Sequence, residues 1–303
     1  MAKEFAGIKI FELKKIKSNV KLFVFDYDGT IYDGNKYKEV QVINLIEKII
    51  NNGKLVAIIT ARAATALKII VPPVRKFLFK KNINSPVFIS GGNGVILYKI
   101  KDNRLIQIYN YGLSIKEIKH AINCWDKIYK DFRINEKKLS LKGIKTFNAF
   151  IKENWVNYIP NKLIELSKLY NGKIFIEEAK VSFVLPKDKT THDKLIKAAQ
   201  EELGDNYALK PGDETFAHIT KNLKEDGKLI AVKTILKGLG FKKNEVITFG
   251  DMPNGNDKGL LSFPYSFTNS KDYIKSDKPP FVLVNNKLNS VARVYKAVDS
   301  LIY

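Results

Sequence analysis

The sequence predicts an α/β fold: a parallel sheet with an α+β domain inserted into it. Three observations predict it. Short apolar runs near both ends of the chain stop abruptly at polar residues. Helical periodicity fills the intervals between those runs. Through the middle of the chain the rhythm changes.

Residues 1–19 read as a basic N-terminal extension. Val20 to Phe25 is a Val-, Leu- and Phe-rich run that ends in Asp26, as a buried strand with a polar C-terminal end would. Residues 36–52 carry Val40, Ile43, Ile46, Ile49 and Ile50 at helical spacing, and Asn51-Asn52-Gly53 supplies the stop. Leu55 to Ile59 is a second apolar run, ending in Thr60. A helix follows over 61–81, disturbed by Pro72-Pro73. Pro86 to Ser90 is a third strand, ending in Gly91-Gly92-Asn93-Gly94. The rhythm resumes with a helix over Leu229–Leu239, stopped by Gly240, and a strand over Val246–Phe249 that ends in Gly250-Asp251. Tyr265–Phe267 and Phe281–Val284 close the sheet. The core domain is therefore 20–97 with 222–303.

Residues 98–221 form the insertion. Ser114 and Glu117 make a capping box before a helix with Ile115, Ile118, Ile122 and Trp125. A second helix fits 161–170, stopped by Asn171-Gly172. Ile174–Ile176 and Val181–Leu185 read as paired strands. A helix over 191–203 and short strands near Tyr207 and Phe216–Ile219 complete it. Trp125 and Tyr129 sit where a helix packs its core.

Composition excludes several classes. The first residues lack the basic-then-apolar pattern of a signal peptide, and no apolar run is long enough to span a membrane. Cys124 is the single cysteine, which rules out an internal disulfide and a cysteine-built metal site. A reducing, cytoplasmic setting is expected. The net charge of +21 would attract phosphate esters and nucleic acid alike. Lysine is spread over the whole chain, however, and pairs such as Lys14-Lys15, Lys80-Lys81 and Lys242-Lys243 are scattered. That is a compositional bias, so nucleic acid is disfavoured as a partner.

In open α/β sheets ligands bind beyond the carboxyl ends of the strands. Asp26, Thr60 and Asp251 end three of the apolar runs, so as neighbouring parallel strands they would converge at one rim. Asp28 follows Asp26 in a loop loosened by Gly29. Two carboxylates so close repel unless a cation compensates. With Asp251 and Asp257 they make four acids in a basic chain, and this hard oxygen set suits Mg²⁺. A carboxylate can attack phosphorus, a second can protonate the leaving oxygen and then activate water, and a hydroxyl with an ammonium can hold the phosphoryl oxygens. Thr60 offers the hydroxyl. Lys221, Lys224 and Lys228 are all candidates for the ammonium. Arg62 fits a substrate contact and a surface role equally. His192 and His218 lack the partners of a metal site.

These residues carry a resemblance. Asp26-Tyr27-Asp28-Gly29-Thr30 resembles the first motif of the haloacid dehalogenase (HAD) superfamily, and Val56-Ala57-Ile58-Ile59-Thr60-Ala61-Arg62 its second. Asp226-Gly227-Lys228 is similar to the third, and Phe249-Gly250-Asp251-Met252-Pro253-Asn254 with Asp257 to the fourth. Gly92-Asn93-Gly94 and Thr268-Asn269-Ser270 are similar to further signatures of its Cof-like, type IIB sugar-phosphatase branch, whose cap is inserted between the second and third motifs. The resemblance implies a Rossmann-like core. It makes Asp26 the nucleophile and a metal ligand, and Asp28 the general acid/base that lends its backbone carbonyl to Mg²⁺. Thr60, Lys228 and Asn254 would bind phosphate. Asp251 would be the main remaining metal ligand, with Asp257 in support. One departure stands out: the family has asparagine and the second aspartate adjacent, whereas here the run is Asn254-Gly255-Asn256-Asp257. The expected activity is Mg²⁺-dependent hydrolysis of a small phosphorylated metabolite, a sugar phosphate, with the cap excluding water and choosing the substrate. A phosphomutase would use the same aspartyl-phosphate. A basic nucleic-acid-binding or inactive HAD-fold module is the alternative of another class, and the full set of motif acids argues against it.

Overall fold

The computed structural model describes residues 4–5, 8–9, 16, 18–63, 68–152, 161–177, 179–213, 215–270, 281–283 and 290–302. Most of the expected extension, 1–19, lies outside them. Its described part includes a short antiparallel pair, β1 (Glu4–Phe5) with β2 (Ile8–Lys9). The chain divides into two compact units, Met1–Arg62 with Ile69–Tyr109 and Glu225–Tyr303, and Ala63–Lys68 with Asn110–Lys224.

The first unit is built on an eight-stranded sheet. β3 (Leu22–Phe25) is buried along its whole length, as a central parallel strand with both faces covered must be. α1 (Glu39–Asn51) buries Val42, Leu45, Ile46, Ile49 and Ile50, a clean helical stripe. Val40, expected on that stripe, is 64% exposed. β4 (Leu55–Ile59) precedes α2 (Val71–Lys80). Residues 68–69 are helical, a turn at Ile70 interrupts the run, and Pro72 and Pro73 stand in the first turn of α2, so the expected helix is disturbed where the prolines are. An N–H is unpaired in that turn anyway, so proline is tolerated there. Residues 64–67 of the expected helix lie outside the described residues.

β5 (Val87–Gly91), β6 (Ile96–Lys101) and β7 (Arg104–Asn110) follow without a helix between them. Positive φ at Gly92, Asn93 and Gly94 reverses the chain on the spot, so β6 runs antiparallel to β5 with Ser90 opposite Leu97. Residues 98–109, expected in the insertion, therefore extend the larger sheet. Later come α7 (Gly227–Leu239), β12 (Val246–Gly250), β13 (Ser266–Thr268), β14 (Phe281–Val282) and α8 (Ser290–Ile302), numbered in chain order after the second unit's elements. The strand order is β14-β13-β12-β3-β4-β5-β6-β7, parallel from β14 to β5. α8 has no counterpart in the sequence reading, although it buries Val291, Val294, Ala297, Val298 and Leu301.

The second unit carries α3 (Ile115–Asp131), α4 (Leu141–Lys152), α5 (Asn161–Lys168) and α6 (Lys189–Leu203). Its sheet is four-stranded and antiparallel, in the order β10 (Tyr207–Asp213), β11 (Phe216–Lys221), β9 (Val181–Val184), β8 (Ile174–Ile176). The capping box is formed: Glu117 N–H donates to Ser114 Oγ and Ser114 N–H to Glu117 Oε2. Trp125 is fully buried and stacks on Phe183 at 4.4 Å. α4 is unforeseen, because Gly143 and Thr146 weaken its propensity; buried Phe147 anchors it instead. Among the described residues no helix is long and apolar enough to cross a membrane.

Candidate active site

The ends of three parallel strands meet at one rim of the first unit. Phe25 is opposite Ile58 on one side and Phe249 on the other. Asp26 and Thr60 then leave the sheet in register, their N–H groups donating to Phe249 and Ser90 carbonyls at 2.9 Å each. Beneath the rim Phe25, Phe249 and Phe267 stack edge to edge of the sheet, with ring centres 5.0 and 5.4 Å apart, which fixes the strands that carry the acids.

The buried side of the site is an ionic chain. Lys228 is fully buried, and its Nζ donates to Asp26 Oδ1 at 2.7 Å and to Asp257 Oδ1 at 2.5 Å. The start of α7 aims it there. Asp226 caps that helix by accepting the Leu229 N–H at 3.0 Å. Gly227 and Gly94 let two backbones touch: a Cβ on Gly227 would overlap the Asn93 carbonyl, and one on Gly94 the Gly227 carbonyl. The other oxygen of Asp257 accepts the N–H groups of Asp251 and Met252, both at 3.0 Å. Asp257 thus reaches the site despite the two additional residues before it. Those residues fold into a turn closed on the Met252 carbonyl, which accepts from Gly255 at 3.0 Å and Asp257 at 3.2 Å.

Burial, against the pull of Lys228 and with help from Asp257, pushes the Asp26 carboxyl up to about 7. Burial and the Asp257 charge push Asp251 up to about 7 as well. Burial pulls Lys228 down, but Asp26 and Asp257 outweigh it, so the ammonium is held above its usual range. The carboxylate oxygens of Asp26, Asp251 and Asp257 lie within 4.8 Å of one another. Three carboxylates and one ammonium leave two net negative charges when all are ionised, so the oxygen donor set fits a divalent cation in charge and in hardness. Gly29, at φ +73°, lies so close to Asp251 that a Cβ would collide with its carboxylate. The Gly29 carbonyl accepts from Asn269 Nδ2 at 2.9 Å, which ties the end of β13 to the first loop.

The open side is different. Asp28 turns its carboxylate away from the acid cluster to Arg62, which donates Nε to Oδ2 at 2.8 Å and NH2 to Oδ1 at 2.5 Å. The carboxylates of Asp26, Asp251 and Asp257 come together, while Asp28, expected to offer only its backbone carbonyl to a metal, gives its side chain to Arg62. The guanidinium lies 5.3 Å from the ring centres of both Tyr27 and Tyr32. Thr60 is fully buried, and its Oγ1 accepts the Arg62 N–H at 3.1 Å. Asn254, expected to bind phosphate, is exposed, whereas Asn256 has a buried Oδ1 without a partner among the described residues. In the second unit His218 pairs with Ser182 Oγ at 2.8 Å and is driven well below its usual pKa by burial and Lys180, in keeping with a packing role.

The sequence reading missed the tie made by Asn269 and left Arg62 undecided. Each needs a partner far along the chain, Gly29 or Asp28, that no local pattern announces.

Residues 23–294 match the family model of the haloacid dehalogenase-like hydrolases. None of the curated proteins matches the chain in sequence. Among solved structures, a protein of Plasmodium vivax assigned to the HAD/COF-like hydrolases is 19% identical, with a TM-score of 0.60 over 95% of this chain and 99% of that one. A protein of Thermotoga maritima is 20% identical, with a TM-score of 0.59 over 92% and 97%. The N-terminally truncated, IMP-bound IMP-nucleotidase of Plasmodium falciparum is 14% identical, with a TM-score of 0.53 over 96% of this chain and 70% of that one.

Proposed function

The chain belongs to the haloacid dehalogenase-like hydrolase family, Cof type, and is a phosphoric monoester hydrolase; from that premise we propose that it releases phosphate from a small metabolite through an aspartyl-phosphate on Asp26. The observation that carries the proposal is the ionic chain Asp26–Lys228–Asp257 with Asp251 at its side.

Lys228 holds Asp26 Oδ1 at 2.7 Å, while among the described residues Oδ2 accepts from the Thr30 hydroxyl alone, at 3.5 Å, and is the more lightly engaged oxygen. Asp26 attacks phosphorus; an O–P bond forms and the ester P–O bond breaks. Asp28 must exchange one of its two Arg62 hydrogen bonds for a proton to act as the acid; it gives that proton to the leaving oxygen, then takes one back from the water that hydrolyses the acyl-phosphate. Thr60 and Lys228 hold the phosphoryl oxygens as their charge shifts. Between the two asparagines of the fourth motif, the half-buried Asn256 suits a phosphate contact better than exposed Asn254.

Asp26 and Asp251 would hold Mg²⁺ together with the Asp28 carbonyl. Both oxygens of Asp257 are already engaged, so it orients the Asp251 loop. When bound, the ion supplies charge neutralisation between the incoming phosphate and the carboxylates. The inserted unit, Asn110–Lys224 rather than the expected 98–221, is assigned the choice of substrate, a sugar phosphate.

The test is release of phosphate from a generic aryl phosphate with and without Mg²⁺, followed by a panel of sugar phosphates and nucleoside monophosphates. Activity that survives Asp26→Asn, or needs no metal, would sink the mechanism. An isomerised hexose phosphate without free phosphate would identify a mutase instead.

A further inference from the structure

We propose that Arg62 is the positioning residue for the general acid/base Asp28, an inference that rests on the phosphatase reading above. Asp28 stands on a loop beside Gly29 at φ +73° and is about half exposed, so its side chain alone would sample several staggered wells. Two parallel hydrogen bonds from one guanidinium select a single one of them.

Arg62 itself is held on every side. Its N–H donates to Thr60 Oγ1 at 3.1 Å and its carbonyl accepts from Gly92 at 2.8 Å. Its guanidinium lies over Tyr27 and Tyr32, whose rings stack 4.8 Å apart, and Tyr27 is buried. The arrangement links the loop carrying the nucleophile to the loop carrying the phosphate-binding threonine. Orientation is its contribution, and a point charge does not replace it: lysine carries the same charge without the fork.

A proton donor matters in proportion to how badly the leaving group needs the proton. An alkyl phosphate must leave as an alcohol, whereas p-nitrophenyl phosphate releases a stable phenolate unaided. In Arg62→Ala, kcat for a hexose phosphate should fall by roughly tenfold to hundredfold. With p-nitrophenyl phosphate the first-turnover burst of p-nitrophenolate should stay within about threefold of the unaltered protein, because that step does not need the donor, whereas hydrolysis of the acyl-phosphate should slow for both esters. KM for the hexose phosphate should hardly move, and Arg62→Lys should not restore kcat. In an Asp28→Asn background, removing Arg62 should cost nothing further, since the two act as a unit. A p-nitrophenolate burst slowed as much as hexose phosphate turnover, a raised KM with unchanged kcat, or additive losses in the double variant would each overturn the inference while leaving the phosphatase reading intact. No turnover of either ester by the unaltered protein would overturn that reading and this inference with it.

Discussion

Asp26 and Asp28 are separated by one residue and live in two different regions. Asp26 belongs to the buried side, where Lys228 and Asp257 complete an ionic chain out of water. Asp28 belongs to the open side, paired with Arg62 at the surface. The same side chain meets an ammonium in one place and a guanidinium in the other, and the two settings suit two tasks. A nucleophile gains from fixed charge in a dry site. A proton carrier needs access to solvent and a defined direction. In the proposed mechanism burial, and not residue type alone, divides the labour.

The largest expected effect falls on the buried side: Asp26→Asn should lower phosphatase kcat by roughly four orders of magnitude or more, as loss of a nucleophile does elsewhere. Steady-state kinetics with an aryl phosphate checks it. Lys228→Met should destabilise the fold by about 3–5 kcal/mol, because two buried carboxylates lose their shared partner. Denaturant unfolding measures this, and the loss should shrink at acid pH, where Asp26 is protonated. Removing Arg62 from its half-exposed pair should cost less than about 1 kcal/mol in the same measurement. Equal costs for the two cations would break the comparison.

The pH dependence sharpens it further. Asp26 titrates at about 7 in the fold against an ordinary 3.8, and Asp251 is raised in the same way. Between those values the folded protein keeps protons that the unfolded chain has lost, so the metal-free protein should lose stability as pH rises from 5 to 8. Mg²⁺ requires the deprotonated carboxylates. Its stabilising shift in Tm should therefore be larger at pH 8 than at pH 5, which thermal melts at both pH values will show. Gly29→Ala should cost about 1–2 kcal/mol of strain at its left-handed φ, more than the loss of Arg62 and less than that of Lys228. It should still weaken Mg²⁺ binding by pressing on Asp251, as a titration followed by melting temperature would detect.

Much of the rim was legible in the sequence because a parallel sheet writes itself in short apolar runs, and their polar ends are the site. Asp26, Thr60 and Asp251 could be placed that way. The order of strands was not legible: that β12 lies against β3 depends on long-range pairing. Residues 98–109 misled because a glycine-rich reversal, with φ positive three times running, can end a domain or turn a hairpin. In α4 the local propensity is poor and packing overrides it. Arg62 was undecided for a like reason, since its partner is 34 residues away.

The position of β3 has a consequence for the order in which the molecule is made. β3 is synthesised early, but its neighbour β12 and the Lys228 that meets Asp26 across 202 residues come late. Until residues 246–250 leave the ribosome, β3 is an unpaired edge and Asp26 has no ammonium beside it. The β8–β9 and β10–β11 pairs, by contrast, join close neighbours in the chain. Such non-local closure is slow and leaves apolar strand exposed while it waits. The nascent chain should thus depend on chaperones most during synthesis of its middle, and catalytic competence arrives in one late step.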